Sequence, residues 1–250
     1  MAMTRFLALL FLGLFAVLPA TAQSTDAPPQ RPAVQGVARA NFVVGVPLQS
    51  FRDNIDGVGY GGSLFGGARF GNTPLVLGLD LGFLVYGRTV DTVPFSSTVG
   101  PRVLVDVVTT NSIFQPHLVL RLQPADGLVR PYIDGLFGFK YLFTETRVRD
   151  DDFDDDRDIA STTNFDDFAL SGGVGAGVDL RVYRAKESAE IASVSVHLGA
   201  QYLLGQRAEY LAEGALEDTN GNGRLDDEEL PIRRSPTTLL QPQVGVTVQF

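Results

Sequence analysis

The sequence predicts an all-β protein: an eight-stranded antiparallel up-and-down transmembrane β-barrel behind an N-terminal signal peptide. Three observations predict it. Period-two alternation of apolar with small or charged residues dominates the chain. Past the N-terminus, no apolar run reaches the roughly 18 residues that a spanning helix requires. The connections between alternating segments are short and long in turn, as they are in barrels with short turns at one end and longer loops at the other.

Alternation is plainest over 129–147. Pro131, Ile133, Gly135, Phe137, Phe139, Tyr141 and Phe143 hold one parity; Arg130, Tyr132, Asp134, Gly138, Lys140 and Thr144 hold the other. Successive strand residues face opposite sides, so one face is apolar and aromatic and the other small and charged. Seven more segments repeat this. Over 35–46, Phe42 and Val44 oppose Arg39 and Asn41; over 57–71, Tyr60 and Leu64 oppose Ser63 and Arg69. Over 75–90, Leu77 and Phe83 oppose Asp80, Gly82 and Arg88; over 103–122, Leu118 and Leu120 oppose His117 and Arg121. Over 165–183, Val174 and Val178 oppose Gly175, Asp179 and Arg181. Over 190–208, Val196 and Leu198 oppose His197 and Gln201; over 236–250, Val244 and Val246 oppose Gln243 and Thr247. Several exceed the ~5–6 residues of an average strand and suffice for the ~9–11 that a tilted strand needs to cross a bilayer.

The connections 71–74, 123–127 and 184–190 are short, and 47–56, 91–102, 148–164 and 209–235 are longer. With the first strand rising from the periplasm, every short connection falls inside and every long one outside. The apolar parity must then meet lipid and the charged parity the lumen. A lipocalin-like secreted barrel would need the reverse, and its usual Gly-x-Trp is excluded because the chain has no Trp.

Residues 1–22 read as the signal peptide: Arg5, an apolar stretch from Phe6 to Pro19, then Ala20-Thr21-Ala22 before Gln23. Residues 23–33, polar and Pro-rich, read as a linker, and 34–250 as the barrel. Composition narrows the chemistry. There is no Cys and there are 2 His, which excludes disulfides, thiolate sites and multi-histidine metal centres. The net charge of −9 argues against nucleic acid as a partner. Most of the acidity lies in two stretches expected outside, 145–167 and 209–235.

The parity places Arg39, Arg69, Asp80, Arg121, Asp134, Asp179 and Arg181 in the lumen at similar depth, where opposite charges can pair into a polar plug. An eight-stranded barrel is just wide enough for side chains to fill. Aromatic girdles are expected at both rims: Phe70, Tyr183 and Phe250 on the periplasmic side, and Phe83, Tyr141, Phe143 and Phe168 on the outer side. His117 and His197 fall on the inward parity as luminal hydrogen-bonding residues. No Gly-x-Ser-x-Gly elbow is present, and no phosphate loop in a strand–helix setting, so no enzyme is expected.

The chain closes on Val246-Thr247-Val248-Gln249-Phe250. This terminal aromatic on an amphipathic strand resembles the sorting signal read by the bacterial outer-membrane assembly machinery. With export, eight strands and unequal loops, 34–250 resembles the small outer-membrane barrel family of OmpA/OmpX type. The resemblance implies bacterial outer-membrane localisation, outer-membrane lipid around the wall, assembly through the strand ending at Phe250, and a monomer. It implies a structural or surface-interaction role. A narrow channel for small solutes or ions is the alternative, and a lipid-modifying barrel enzyme a more distant one. Lipid A deacylases of similar size use Ser and His on the barrel exterior, and no His-x-Ser pair exists here.

One motif points to a ligand. Residues 218–230, Asp-Thr-Asn-Gly-Asn-Gly-Arg-Leu-Asp-Asp-Glu-Glu-Leu, fit the EF-hand calcium loop. Asp218, Asn220 and Asn222 take positions one, three and five, Arg224 offers its carbonyl at seven, Asp226 stands at nine and Glu229 at twelve. Ca2+ wants six to eight oxygens, and this spacing supplies them from one loop. Gly214 and Pro231 interrupt flanking helices, so a loop inserted in the last outer connection is expected rather than a paired sensor hand. Two neutral Asn ligands suggest weak binding, ~10⁻⁴–10⁻³ M.

Overall fold

The computed structural model describes residues 34–55, 57–94, 104–150, 158–185, 191–211 and 232–250. The expected signal peptide, linker and calcium loop lie outside them. Among the described residues ten strands form: β1 (Val34–Pro47), β2 (Gly59–Phe70), β3 (Leu75–Pro94), β4 (Leu104–Leu122), β5 (Val129–Asp150), β6 (Asp158–Arg184), β7 (Ser193–Gly205), β8 (Arg207–Leu211), β9 (Ile232–Pro236) and β10 (Leu239–Gln249). A 3₁₀ turn, Gln49–Asn54, follows β1. Eight strands close in the order β1-β10-β7-β6-β5-β4-β3-β2, every pair antiparallel. The expected up-and-down barrel is therefore observed, its seam formed by the first and last barrel strands.

The alternation sets which way each residue faces. Ile133, Phe137 and Leu118 are 63%, 66% and 60% exposed, while their strand neighbours Asp134, Leu136 and His117 are buried. Among the described residues, the buried set is dominated by Arg, Asp, Gln, Ser and Thr, and the exposed set holds Leu, Val and Phe from every barrel strand. The barrel is polar inside and apolar outside. The aromatics expected at the rims sit there: Phe70, Tyr183 and Phe250 are exposed at the short-turn end. Toward the long-loop end, Phe83 and Phe143 lie 6.3 Å apart and Tyr141 and Phe143 5.4 Å apart between ring centroids, and Phe168 is exposed nearby.

Three departures have local causes. Tyr86 keeps the inward parity of Asp80 and Leu84, but a bulge between Val85 and Gly87 shifts the β3–β4 register and reverses the facing of the residues that follow. Arg88, expected to face the lumen, is exposed in consequence. A second bulge, between Arg181 and Tyr183, leaves Val182 and Tyr183 both exposed and Arg181 only half-buried, at the margin of the lumen rather than inside it. Finally, 91–102 and 148–164 are not wholly loops. Strands β3 to β6 pair onward to Pro94↔Leu104, Val105↔Asp150 and Arg149↔Asp158, forming a four-stranded ribbon beyond the barrel. Alternating Thr, Val and charged residues in these stretches support pairing, but their polarity reads as loop in a search for apolar alternation.

At the long-loop end the β7–β10 hairpin does not run straight. It bends at Gln206 and at Thr237–Thr238 and continues as the two-stranded sheet β8–β9. That sheet and the 3₁₀ turn fold into the barrel mouth.

Candidate functional site: the luminal network and its stopper

The barrel interior divides into two layers. The lower layer, toward the short turns, is a network of charged and amide side chains interleaved with a buried apolar cluster of Val37, Phe65, Val76, Val119, Leu136 and Leu203. Arg121 and Asp134 are paired in register on β4 and β5. The Arg121 Nε and Nη2 atoms donate to Asp134 Oδ1 and Oδ2, both at 2.7 Å. This two-pronged, charge-assisted contact is among the strongest polar interactions available. Arg121 Nη1 is also 4.0 Å from Asp179 Oδ2. Asp179 accepts from Gln123 Nε2 at 2.7 Å and from Thr247 Oγ1 at 3.2 Å.

Arg69 finds no carboxylate partner among the described residues. Its Nη1 donates to the carbonyls of Gln123 and Thr73, at 2.9 and 3.2 Å, and so ties together the β2–β3 and β4–β5 turns. Arg130 donates to Ser195 Oγ at 2.8 Å and to Gln249 Oε1. The carbonyl and amide oxygens thus take the place of counter-ions at the closed lower end.

Tyr132 organises the centre. Its ring lies 3.6 Å under the Arg121 guanidinium and stacks on the His197 ring at 5.4 Å. Its hydroxyl meets His197 Nε2 at 2.7 Å. A Cβ on Gly199 would run into that hydroxyl, so glycine there makes room for an aromatic side chain laid across the lumen. Arg39, 3% exposed, sits 4.8 Å from the Phe65 ring and reaches His197 Nε2 only at 3.4 Å. Asp80 accepts from Gln201 Nε2 at 3.1 Å.

Six of the seven charges expected in the lumen are there: Arg39, Arg69, Asp80, Arg121, Asp134 and Asp179. Only Arg121 and Asp134 make the close ion pair that the charge count suggested. Arg130 and Lys140 were missed as luminal charges and are fully buried. Their parity with Asp134 on one strand was the signal that marks them. Five buried cations therefore face three buried carboxylates among the described residues: Arg39, Arg69, Arg121, Arg130 and Lys140 against Asp80, Asp134 and Asp179.

Both histidines are buried in the lumen, as expected. His117 Nε2 lies 3.0 Å from Ser171 Oγ, a contact between β4 and β6 that no sequence motif announces. Its Nδ1 meets the Gln115 carbonyl at 3.3 Å rather than a carboxylate. Ser171 Oγ also lies 3.0 Å from the Leu204 carbonyl. Both residues are walled off inside the barrel, so the geometry is that of a structural hydrogen bond.

The upper layer is apolar. Phe51 and Ile55, from the first long connection, pack with Ala208 and Tyr210 from β8. They fill a cup formed by Val43, Leu84, Tyr86, Ile113, Leu142, Ala169 and Leu239 on the barrel wall. The Phe51 and Tyr210 rings meet edge to face at 5.1 Å. The Tyr210 hydroxyl accepts from Asn54 Nδ2 at 2.9 Å and lies 2.6 Å from Ser235 Oγ. Phe51 is fully buried although it belongs to a loop. Among the described residues, the chain's own first and last long connections thus place an apolar stopper in the mouth.

The proposed calcium ligands Asp218, Asn220, Asn222, Arg224, Asp226 and Glu229 lie outside the described residues. Among the described residues no group of three or more carboxylates and histidines is assembled.

No family model matches the chain, and no curated protein does. Among solved structures, it is similar to Neisserial surface protein A, at 13% identity over 87% of this chain and 97% of that one, with a TM-score of 0.38. It is similar to Ail, the attachment invasion locus protein of Yersinia pestis, solved with the heparin analogue sucrose octasulfate: 12% identity, 87% and 97% coverage, TM-score 0.35. It is also similar to a major outer membrane protein from Thermus thermophilus, at 15% identity, 87% and 100% coverage and a TM-score of 0.39. The architecture itself rests on this chain's closed strand order.

Proposed function

We propose that the chain is a bacterial outer-membrane β-barrel that is closed to steady flow and serves a structural or surface-interaction role, with the long connections facing outward. The observation that carries this reading is the inverted polarity of the wall: Leu, Val and Phe exposed on all eight barrel strands, with Arg, Asp and Gln enclosed. In water that surface would aggregate; in hydrocarbon it is the stable arrangement, and closure leaves no unpaired strand edge within the bilayer. The surface role draws support from the ribbon beyond the barrel. There, among the described residues, 87–94 of β3 pair with β4 alone, a backbone edge of the kind that accepts an added strand. The two-layer filling of the lumen counts against a channel. The wall lipid is the one partner the reading requires, and assembly would proceed through the strand ending at Phe250.

Refolding into detergent and comparing heated with unheated gel migration tests the reading. A membrane barrel runs faster unheated; identical migration would overturn it. Sizeable steady conductance in planar bilayers would overturn the closed state alone.

The calcium loop at 218–230 is a separate part of the proposal and rests on ligand spacing. Calorimetry with the refolded barrel should give weak Ca2+ binding that Glu229→Gln abolishes, because position twelve supplies two of the oxygens. Equal heats from both proteins would remove calcium from the reading.

A further inference from the structure

Lys140 is a luminal charge held by backbone carbonyls instead of a counter-ion. It is 0% exposed, and among the described residues no carboxylate lies within ion-pairing distance. Its Nζ donates instead to two backbone carbonyls, Leu203 at 3.4 Å and Thr237 at closer range. Those carbonyls flank the two bends where the barrel strands β7 and β10 give way to β8 and β9. Thr237 stands between strands, and its N–H and hydroxyl both reach the Gln206 carbonyl, at 3.3 and 3.4 Å. Its own carbonyl has left the sheet ladder, and a buried carbonyl without a partner is costly. Lys140 supplies that partner from β5, across the lumen. Gly205 permits the approach: a Cβ there would run into Thr237 Oγ1 and come within 3.2 Å of Lys140 Nζ. Leu48 N donates to the Thr238 carbonyl at 3.0 Å, so the loop carrying Phe51 is tied to the same bend.

The geometry points to a hinged stopper: the β8–β9 ribbon swings at Gln206 and Thr237–Thr238, and Lys140 is the latch that holds it in the barrel mouth. The ribbon carries Ala208 and Tyr210 into the apolar cup, and Lys140, paired in register with Ala169, sits at the cup's lower boundary. An ammonium group is suited to the task. It has three donors to spend on bend carbonyls and is heavily penalised if left bare in an apolar site, so it binds the bend only as long as the bend stays in place. The ribbon has its own two-strand pairing and therefore lifts as a unit. When it lifts, water reaches the upper lumen while the Arg121–Asp134 layer beneath stays intact. This inference rests on the closed-barrel reading above and deepens it.

The absence of cysteine makes the test clean. Ser171→Cys places a thiol on β6 two residues deeper than Ala169, beneath the stopper. Refolded into phosphatidylcholine vesicles, the single-cysteine barrel should react slowly with a membrane-impermeant maleimide. Adding Lys140→Met should raise that rate at least tenfold while heat-modifiable migration is retained. Gly205→Val, which blocks the Thr237 approach, should do the same and serves if the Met variant does not refold. Tyr132→Phe, which loosens only the lower layer, should leave the rate unchanged. Rapid labelling without any latch substitution, equal rates with and without Lys140→Met, or equal acceleration by Tyr132→Phe would each overturn the latch. Loss of heat-modifiable migration in Ser171→Cys itself would instead remove the membrane barrel on which the latch depends.

Discussion

The lower lumen and the mouth close the same barrel by opposite means. Below, side chains that point inward by strand parity alone bond to one another and to turn carbonyls: Arg121 to Asp134, Gln123 to Asp179, Arg69 to the carbonyls of Thr73 and Gln123. Above, Phe51 and Tyr210 are carried in from connections and held by apolar packing. The lower seal is built into the wall and cannot leave without unfolding it. The upper seal belongs to segments that can move while the wall stands. A rigid polar layer and a removable apolar layer make different failures when a single side chain is lost.

The largest failure is expected below. Asp134→Ala strands Arg121 in the lumen with no carboxylate closer than Asp179 at 4.0 Å. Breaking a buried pair by removing one partner costs about 3–5 kcal/mol, because the remaining charge is left uncompensated. The urea midpoint of the lipid-refolded barrel, followed by gel migration, should fall accordingly. A midpoint that does not move would mean that water or another anion takes the place of Asp134, and the lower layer would then not be a sealed network.

Phe51→Ala removes a larger, apolar side chain from the mouth. Truncating a buried Phe costs about 3 kcal/mol or more in a continuous core. Here the loss should appear as local opening, since the 3₁₀ turn and the ribbon can detach without breaking a barrel strand pair. Amide exchange at Tyr210 and Leu211 is therefore expected to quicken by about 100-fold, with the global urea midpoint little changed. A midpoint shift equal to that of Asp134→Ala would show that the two layers unfold together and would erase the distinction between them.

The same distinction explains what was legible in the sequence. The lower layer follows from parity: once Leu118 and Leu120 face out, Arg121 must face in, and strand pairing brings it to Asp134. The period of two encodes direction, which is all this layer requires. What parity does not encode is partner choice. Arg39 and Asp80 share the lumen and make no close ion pair, because Arg39 is drawn to Phe65 and His197 and Asp80 to Gln201. The bulges at Tyr86 and beyond Arg181 were hidden for a similar reason: one extra residue reverses every later side chain, and no residue type marks the position unambiguously. The stopper was hidden altogether. Phe51 lies in a polar stretch, Gln49–Asn54, and Tyr210 in another, so nothing nearby in sequence reveals that each finds an apolar cup. That information sits in contacts separated by most of the chain.

The smallest effect sharpens the comparison from inside the lower layer. Tyr132→Phe deletes one hydroxyl and leaves the ring stacked 3.6 Å from the Arg121 guanidinium. His197 Nε2 then keeps only its long contact with Arg39, at 3.4 Å. Loss of one neutral hydrogen bond costs about 1 kcal/mol, well below the loss of Asp134. Gly199→Ala should be worse than Tyr132→Phe, since its methyl occupies the place of the hydroxyl and forces the ring off Arg121. Combining the two should cost less than the sum, because removing the hydroxyl makes room for the methyl. Strict additivity in the urea midpoints would mean that Tyr132 and Gly199 do not meet, and the lower layer would then owe its rigidity to the Arg121–Asp134 pair alone rather than to a ring fitted across the barrel.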